Sequence, residues 1–281
     1  MVNAFRETWD RALATQFPPT HFTGITRFPY AEFRTRALGD DLDLAHDFVD
    51  AVYGGKVVVL DDAFTRAEVM EIRDICVKFS QTHPESATQR ITADCPDYHQ
   101  IFDSSMKPQA GYEAVDRFYY FFPWNGDVTG SIAKVQDHWK LSKIFNGFAP
   151  DAFTNNRPED GIVDRLHIKH YPSGCSRIST HVDPVVALQM VSAVHITEYG
   201  TDYHEGSYYA LDAEGQRHYL DPELRSGCMV MFYPQIPHGV TTVDPNVPVN
   251  WESPQGRWFM LLFNPQSHIV ENRKKATSVA G

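Results

Sequence analysis

The chain has 281 residues, 42% hydrophobic and 22% charged, the composition of a folded domain with a sizeable core rather than of a disordered or fibrous chain. Its 25 Lys and Arg against 36 Asp and Glu leave a net charge of −11, which repels phosphate backbones and anionic bilayers and argues against nucleic acid or a membrane surface as partner. No apolar run is long enough to predict a membrane span.

In chain order, the first 55 residues are mixed and predict short helices at about 5–14 and 43–52. Lys56-Val57-Val58-Val59-Leu60 is a β-branched run and predicts a strand. Thr65 then reads as an N-cap, and Glu68 completes a capping box. Val69, Ile72, Cys76 and Phe79 follow at helical spacing, so a helix should run to about Ser80. Residues 83–115 are polar, contain Pro84, Pro96 and Pro108, and predict long loops. The aromatic cluster from Phe118 to Trp124 reads as a core strand ending at Pro123, or as a wall of a substrate pocket. Ile132, Val135, Trp139 and Phe145 predict a helix over about 131–148.

From residue 163 the pattern changes to strands. Leu166, Ile168 and His170 alternate with Arg165, His167 and Lys169, a period of two. Further strands are expected at 185–197, 207–211, 217–220, 228–233 and 257–263, with a hairpin turn at Asp212-Ala213-Glu214-Gly215. Helices first and short strands afterwards predict an α+β chain with a mainly β core, a double-sheet jelly roll. No linker divides it. The expected plan is one domain: a helical, loop-rich buttress (1–160), a jelly-roll core (161–265) and a tail (266–281). The basic run Arg273-Lys274-Lys275 in that tail reads as solvated.

Cys76, Cys95, Cys175 and Cys228 form no C-x-x-C pair, so a zinc knuckle is not indicated. Met1 to Glu7 lacks the basic start and apolar run of an export signal. The expected location is the cytoplasm, with thiols reduced.

The candidate chemistry centres on His181-Val182-Asp183. In a strand, residues two apart project to the same side, so His181 and Asp183 can chelate one ion. Pro184 stops the ladder directly afterwards. His238, after the strand-like Met229 to Tyr233 and before Gly239, can supply a third ligand from another strand. Two imidazoles and one carboxylate leave open positions on the opposite face, which suits non-haem Fe(II) that must also bind a co-substrate and O2. His167 and His170 are three apart and fall on opposite faces of one strand, whereas His195 and His204 are candidates for supporting roles.

These residues and their surroundings resemble the Fe(II)/2-oxoglutarate-dependent dioxygenases, in particular the prolyl-hydroxylase-like and phytanoyl-hydroxylase-like branches. The matching stretches are Tyr171-Pro172-Ser173-Gly174 leading to His181-Val182-Asp183-Pro184, then His204-Glu205-Gly206-Ser207, the run from Gly227 to Phe232, and Pro237-His238-Gly239-Val240. The entry Val57 to Phe64 followed by the Thr65 helix is also similar. The resemblance covers about residues 163–264 and implies a cupin-like double-stranded β-helix. It implies Fe(II) on His181, Asp183 and His238, with 2-oxoglutarate and O2 as co-substrates.

The family holds the far carboxylate of 2-oxoglutarate with a basic residue after the second histidine. Residues 239–256 contain no Lys or Arg, and the first basic residue is Arg257, at the start of the strand Trp258 to Phe263. A lone Arg opening an apolar strand calls for a buried anion, which is the co-substrate carboxylate or the partner of an ordinary ion pair. The spacing from His238 is longer than the family's usual one, with residues 244–256 resembling an inserted loop, and Phe259 stands where a Ser or Thr is frequent. Tyr171, before the HxD, is a further candidate to touch 2-oxoglutarate or else a packed tyrosine with a satisfied hydroxyl, and Arg177, with the parity of His181 and Asp183, is a candidate for 2-oxoglutarate or substrate or else an exposed arginine.

The resemblance implies oxidative decarboxylation to succinate and CO2, with hydroxylation of a C–H bond. Related halogenases replace the carboxylate ligand by a small residue, so Asp183 favours hydroxylation. A small-molecule substrate is expected. A peptide hydroxylase, a cupin-type metal enzyme independent of 2-oxoglutarate, and a binding module are the alternatives.

Overall fold

The structure is a computed structural model that describes residues 3–86, 90–104 and 112–279. Helix α1 (Ala4–Thr15) starts where the Asn3 side chain accepts the Arg6 amide, and Phe5, Trp9 and Ala12 bury one face at helical spacing. Strand β1 (Gly24–Pro29), α2 (Tyr30–Leu38), α3 (Leu42–Tyr53) and β2 (Lys56–Asp61) follow. Thr65 and Glu68 close the expected capping box, and α4 (Arg66–Thr82) buries Val69, Ile72, Cys76 and Phe79. Next come β3 (Tyr98–Asp103), β4 (Ala114–Phe121) and α5 (Ser131–Phe145). The strands β5 (Arg165–Pro172), β6 (Arg177–Val182), β7 (Val191–His195), β8 (Tyr208–Leu211) and β9 (Arg217–Tyr219) begin the second half. It ends with β10 (Met229–Phe232), β11 (His238–Val240), β12 (Gly256–Phe263) and β13 (Thr277–Ser278).

The larger layer runs β1-β2-β10-β7-β12-β5-β4, and the smaller runs β6-β11-β8-β9. Strand β4 joins them, because residues 117–121 pair with β5 while Ala114 and Val115 pair with β6. The sheet thus curls into a jelly roll with one cavity-facing side. All named pairings are antiparallel except β1 with β2.

The outer side of the larger layer packs on the helices. Leu166 and Ile168 of β5, Met260 and Leu262 of β12, and Met229 and Met231 of β10 are fully buried there with Phe5, Phe48 and Phe145. Each such aliphatic side chain contributes about 1.5–3 kcal/mol of burial, so this face holds the barrel to its buttress. The opposite parity faces the cavity, and on β5 it is Arg165, His167, Lys169 and Tyr171. The aromatic run of β4 divides in the same way: Phe118 and Tyr120 line the cavity, while Tyr119 and Phe121 join the helical core. Both expectations for that run therefore apply, on alternate residues.

Three expectations are corrected. Residues 83–115 are not all loop, since β3 pairs with β4 from Tyr98↔Tyr120 to Asp103↔Val115. Its alternation is weak because it pairs on one side with β4 alone and most of its residues are half-buried. Strand β1 was missed for the same reason, being an edge strand with no buried residue. The strand expected over 185–197 shortens to 191–195, because the segment after Pro184 turns before it enters the sheet.

Candidate metal centre

His181 lies near the end of β6 and is the register partner of His238 on β11. Asp183 follows one residue past the end of β6, where its amide donates to the Pro234 carbonyl (2.9 Å). The three side chains offer ligand atoms that all lie within 4.8 Å of one another. Asp183 Oδ1 is 4.0 Å from His181 Nε2, and its Oδ2 is 3.5 Å from His238 Nε2.

Both imidazoles are turned for ligation by their own strands. His181 Nδ1 lies 2.9 Å from the Ser179 carbonyl, and His238 Nδ1 lies 2.8 Å from the Ile236 carbonyl. A carbonyl only accepts, so each Nδ1 carries the proton and each Nε2 presents its lone pair to Asp183. Tyr112 stacks on His181 (4.9 Å, 20°), and Phe232 packs edge-on to His238 (4.9 Å). Gly239 lets β11 sit this close: a Cβ there would fall 2.8 Å from the Ile178 carbonyl. Burial, then the neighbouring His238, pushes His181 down to about 4, so its imidazole is neutral at neutral pH. Burial alone would raise Asp183, but the two imidazoles outweigh it and hold the carboxyl below its ordinary value.

The cluster opens into a cavity of about 630 Å³. Arg257 and Tyr171 both line it, as register partners across β12 and β5. Arg257 is buried and forked onto Asp221, with Nε donating to Oδ2 (2.6 Å) and Nη2 to Oδ1 (3.0 Å). The ion pair foreseen as the alternative for this residue is therefore present. It leaves Nη1 buried without a hydrogen-bond partner. The Tyr208 hydroxyl, also on the cavity wall, is a second buried group without one. Two unsatisfied polar hydrogens beside a bound guanidinium are what a carboxylate accepts. Burial raises Tyr171 to about 12, and its ring stacks on Phe259 (6.0 Å).

Arg177 does not reach this cavity. Its Nη2 donates to Glu113 and its Nη1 to the Cys175 carbonyl (3.0 Å). The expected parity fails because β6 carries an extra residue: His181 faces His238 and Ile178 faces Val240, three steps against two. Ile178 and His181 both line the cavity, and Arg177 turns outward.

In the basic tail Lys274 and Lys275 are exposed, as expected of a solvated run, and only Arg273 departs from it by being half-buried. Arg273 Nε donates to the Gln266 carbonyl (2.8 Å) and Lys274 Nζ to the Val185 carbonyl (2.8 Å), so both are tied into the cavity wall. Beyond them, Thr277 and Ser278 pair with Val182 and His181. Asp221 and Tyr208 carried no sequence signal, because their roles depend on contacts with β12 and β11 across the barrel. Lys169, a cavity residue of the polar β5 face, is ion-paired with Asp116 (2.8 Å). Asp116 holds the Lys169 ammonium charged against burial, beside the cluster's own charges.

The fold and the site define a jelly-roll protein with a His-Asp-His group at one end of its cavity. No protein-family model matches the sequence, and no curated protein matches it. Solved structures of a prolyl-4-hydroxylase, a thymine-7-hydroxylase and a 2OG-Fe(II) oxygenase family member are among those it is similar to. Full-length thymine-7-hydroxylase of Neurospora crassa in complex with alpha-ketoglutarate superposes with a TM-score of 0.52 at 12% identity, covering 87% of this chain and 85% of that one. The same enzyme with alpha-ketoglutarate and thymine gives 0.51 at 12%, covering 87% and 86%. A Pseudomonas putida prolyl-4-hydroxylase is 15% identical over 76% of this chain and 95% of its own, with a TM-score of 0.48. The likeness at these identities is one of fold.

Proposed function

We propose that this protein is an Fe(II)- and 2-oxoglutarate-dependent oxygenase that hydroxylates a C–H bond of a small molecule. The observation that carries this reading is the His181-Asp183-His238 cluster, whose two Nε2 lone pairs are already aimed at the carboxylate. The donor set fits the metal: three neutral or anionic ligands on one side, with room in the cavity on the other. When bound, iron with 2-oxoglutarate and O2 supplies the oxidation, in which 2-oxoglutarate becomes succinate and CO2 and one oxygen atom enters the substrate C–H bond.

The chain's own residues orient and enclose. His181, Asp183 and His238 hold the metal. Arg257 Nη1 and the Tyr208 hydroxyl are the unsatisfied donors that receive the far carboxylate of 2-oxoglutarate, with Tyr171 packed beside Arg257. Asp221 acts by fixing the guanidinium plane. Phe232 and Val230 line the apolar side that keeps water from the metal face. A cavity of about 630 Å³ has room for 2-oxoglutarate and a second small molecule, which favours that substrate class over a peptide.

The test is anaerobic addition of Fe(II) and then 2-oxoglutarate, followed by the visible charge-transfer band of the chelate. The band should form in the parent protein and be lost in His238→Ala. A parent protein with no band, or a variant that keeps it, refutes the reading. Substrate identity is then screened by succinate release above the uncoupled rate.

A further inference from the structure

The end of the cavity remote from Arg257 is cationic, and among the described residues no carboxylate forms an ion pair with Arg165 or Arg273 there. Arg165 is only 6% exposed. Its guanidinium lies 4.0 Å from the Tyr120 ring centroid and 5.2 Å from that of Phe263, and its Nε has no hydrogen-bond partner. No carboxylate pairs with it among the described residues, and none of the remaining residues is an Asp or Glu. A guanidinium packed against two rings, with Nε free and only His167 Nδ1 beside Nη2 (3.5 Å), still has donors to offer an oxyanion.

Arg273 and His268 add a second sign of a missing acceptor. His268 Nδ1 must accept the Ile91 amide (2.7 Å), which leaves the proton on Nε2. Arg273 Nη1, itself only a donor, lies 3.0 Å from that Nε2. Two donors therefore face each other, with no acceptor between them among the described residues. Burial, then the charges of Arg273, Arg90, Lys275 and Arg165, pushes His268 down to about 4.

This centre is separate from the one at Arg257. On the β5/β12 ladder Arg257 opposes Tyr171 while Phe263 opposes Arg165, six residues further along, which is about 20 Å at about 3.3 Å per residue. A five-carbon dicarboxylate held at the metal and Arg257 does not reach Arg165. Between the two, β12 presents Phe259 and Leu261 to the cavity and β4 presents Phe118.

We infer that Arg165, with Arg273 and His268, forms a subsite for an oxyanion of the substrate, a carboxylate or phosphate attached to an apolar or aromatic body. The anion is held at the Arg165 end, the body lies along Phe259, Leu261 and Phe118, and the carbon presented to the metal cluster is several bonds from the charge. The substrate class named here rests on the proposed function; the anion subsite itself does not. The overall acidity of the chain makes this local excess of cations more selective, because other faces repel the same ligand.

The experiment titrates 4-phenylbutyrate, 4-phenylbutyl phosphate and the neutral 4-phenylbutanol into the full chain by calorimetry, with Mn(II) and 2-oxoglutarate present. At least one anion should bind saturably, at least about tenfold more tightly than the alcohol. Arg165→Gln should weaken that anion at least about tenfold, and Arg165→Lys should recover part of it. The preferred anion distinguishes carboxylate from phosphate. Equal binding of the alcohol, no saturable anion binding, or an Arg165→Gln protein that binds the anion like the parent overturns the subsite. Should Arg165→Gln fail to fold, Arg273→Gln carries the same test, and unchanged anion affinity there is equally decisive against it. Anion binding that depends on Arg165 in a protein without the Fe(II)–2-oxoglutarate band would sink the oxygenase reading and leave the subsite standing.

Discussion

Removing Asp221 should expose how Arg257, the proposed anchor of the co-substrate, is held, and the structure sets the size of the effect. Asp221 is 1% exposed and Arg257 is 2% exposed. The carboxylate receives both Arg257 bonds, the Tyr203 hydroxyl (2.7 Å) and the Tyr208 amide (3.0 Å). Asp221→Ala therefore leaves a buried cation and two buried donors without partners, and breaking a buried pair in this way costs about 3–5 kcal/mol. Burial by itself would raise the Asp221 carboxyl, but Arg257, then His195 and Tyr203, hold it below its ordinary value. Its contribution is thus present above the unfolded value of about 4 and is lost as pH falls below it. Urea unfolding at neutral pH should show the full loss, and Asp221→Ala combined with Arg257→Met should cost less than the two singles added together. A loss under about 1 kcal/mol for Asp221→Ala, or strict additivity, would refute the claim that this pair fixes the guanidinium.

Three further outcomes are expected. His181→Ala and Asp183→Ala should each abolish tight Fe(II) binding and 2-oxoglutarate turnover, read by metal analysis and succinate release; wild-type release by either would remove it from the ligand set. Burial depresses His170 to about 3 and His195 to about 4, so the unfolded chain takes up protons before the folded one as pH falls below about 6.5. Stability of the metal-free protein should therefore decline between about pH 6 and 4.5, with a slope approaching about 1.4 kcal/mol per pH unit per histidine, and a flat profile in denaturant titrations would contradict it. Gly256 has φ +119°, and a Cβ there would stand 2.2 Å from the Tyr171 carbonyl and 2.9 Å from the Ser173 amide. Gly256→Ala should part β12 from β5 at Arg257, costing over about 2 kcal/mol and weakening 2-oxoglutarate binding, whereas parental melting and affinity would show that the strand end gives way freely.

The clustering of His181, Asp183 and His238 was legible because it has a short-range signature: two residues apart on one strand, and one beside a glycine on another. The helices were legible through capping and period, as with Thr65, Glu68 and the buried stripe of α4. Arg177 shows where that reasoning stops. Parity along β6 is a local rule, and the bulge opposite Val240 that breaks it is imposed by pairing with β11. β3 was illegible for a related reason, since an edge strand with half-buried residues leaves no clean alternation.

By itself the sequence determined the α+β order, the polar and apolar faces of β5, and a His-Asp-His group suited to a divalent metal. Only the tertiary structure decided what those faces meet. It brought Asp221 to Arg257, left Nη1 and the Tyr208 hydroxyl open, and folded the basic tail back so that Arg273 and His268 stand near Arg165. Those partners are separated by tens of residues, and nothing in local period or spacing encodes them. Their pairing follows from closure of the sheet, which places both ends of the β5/β12 ladder on one buried cavity.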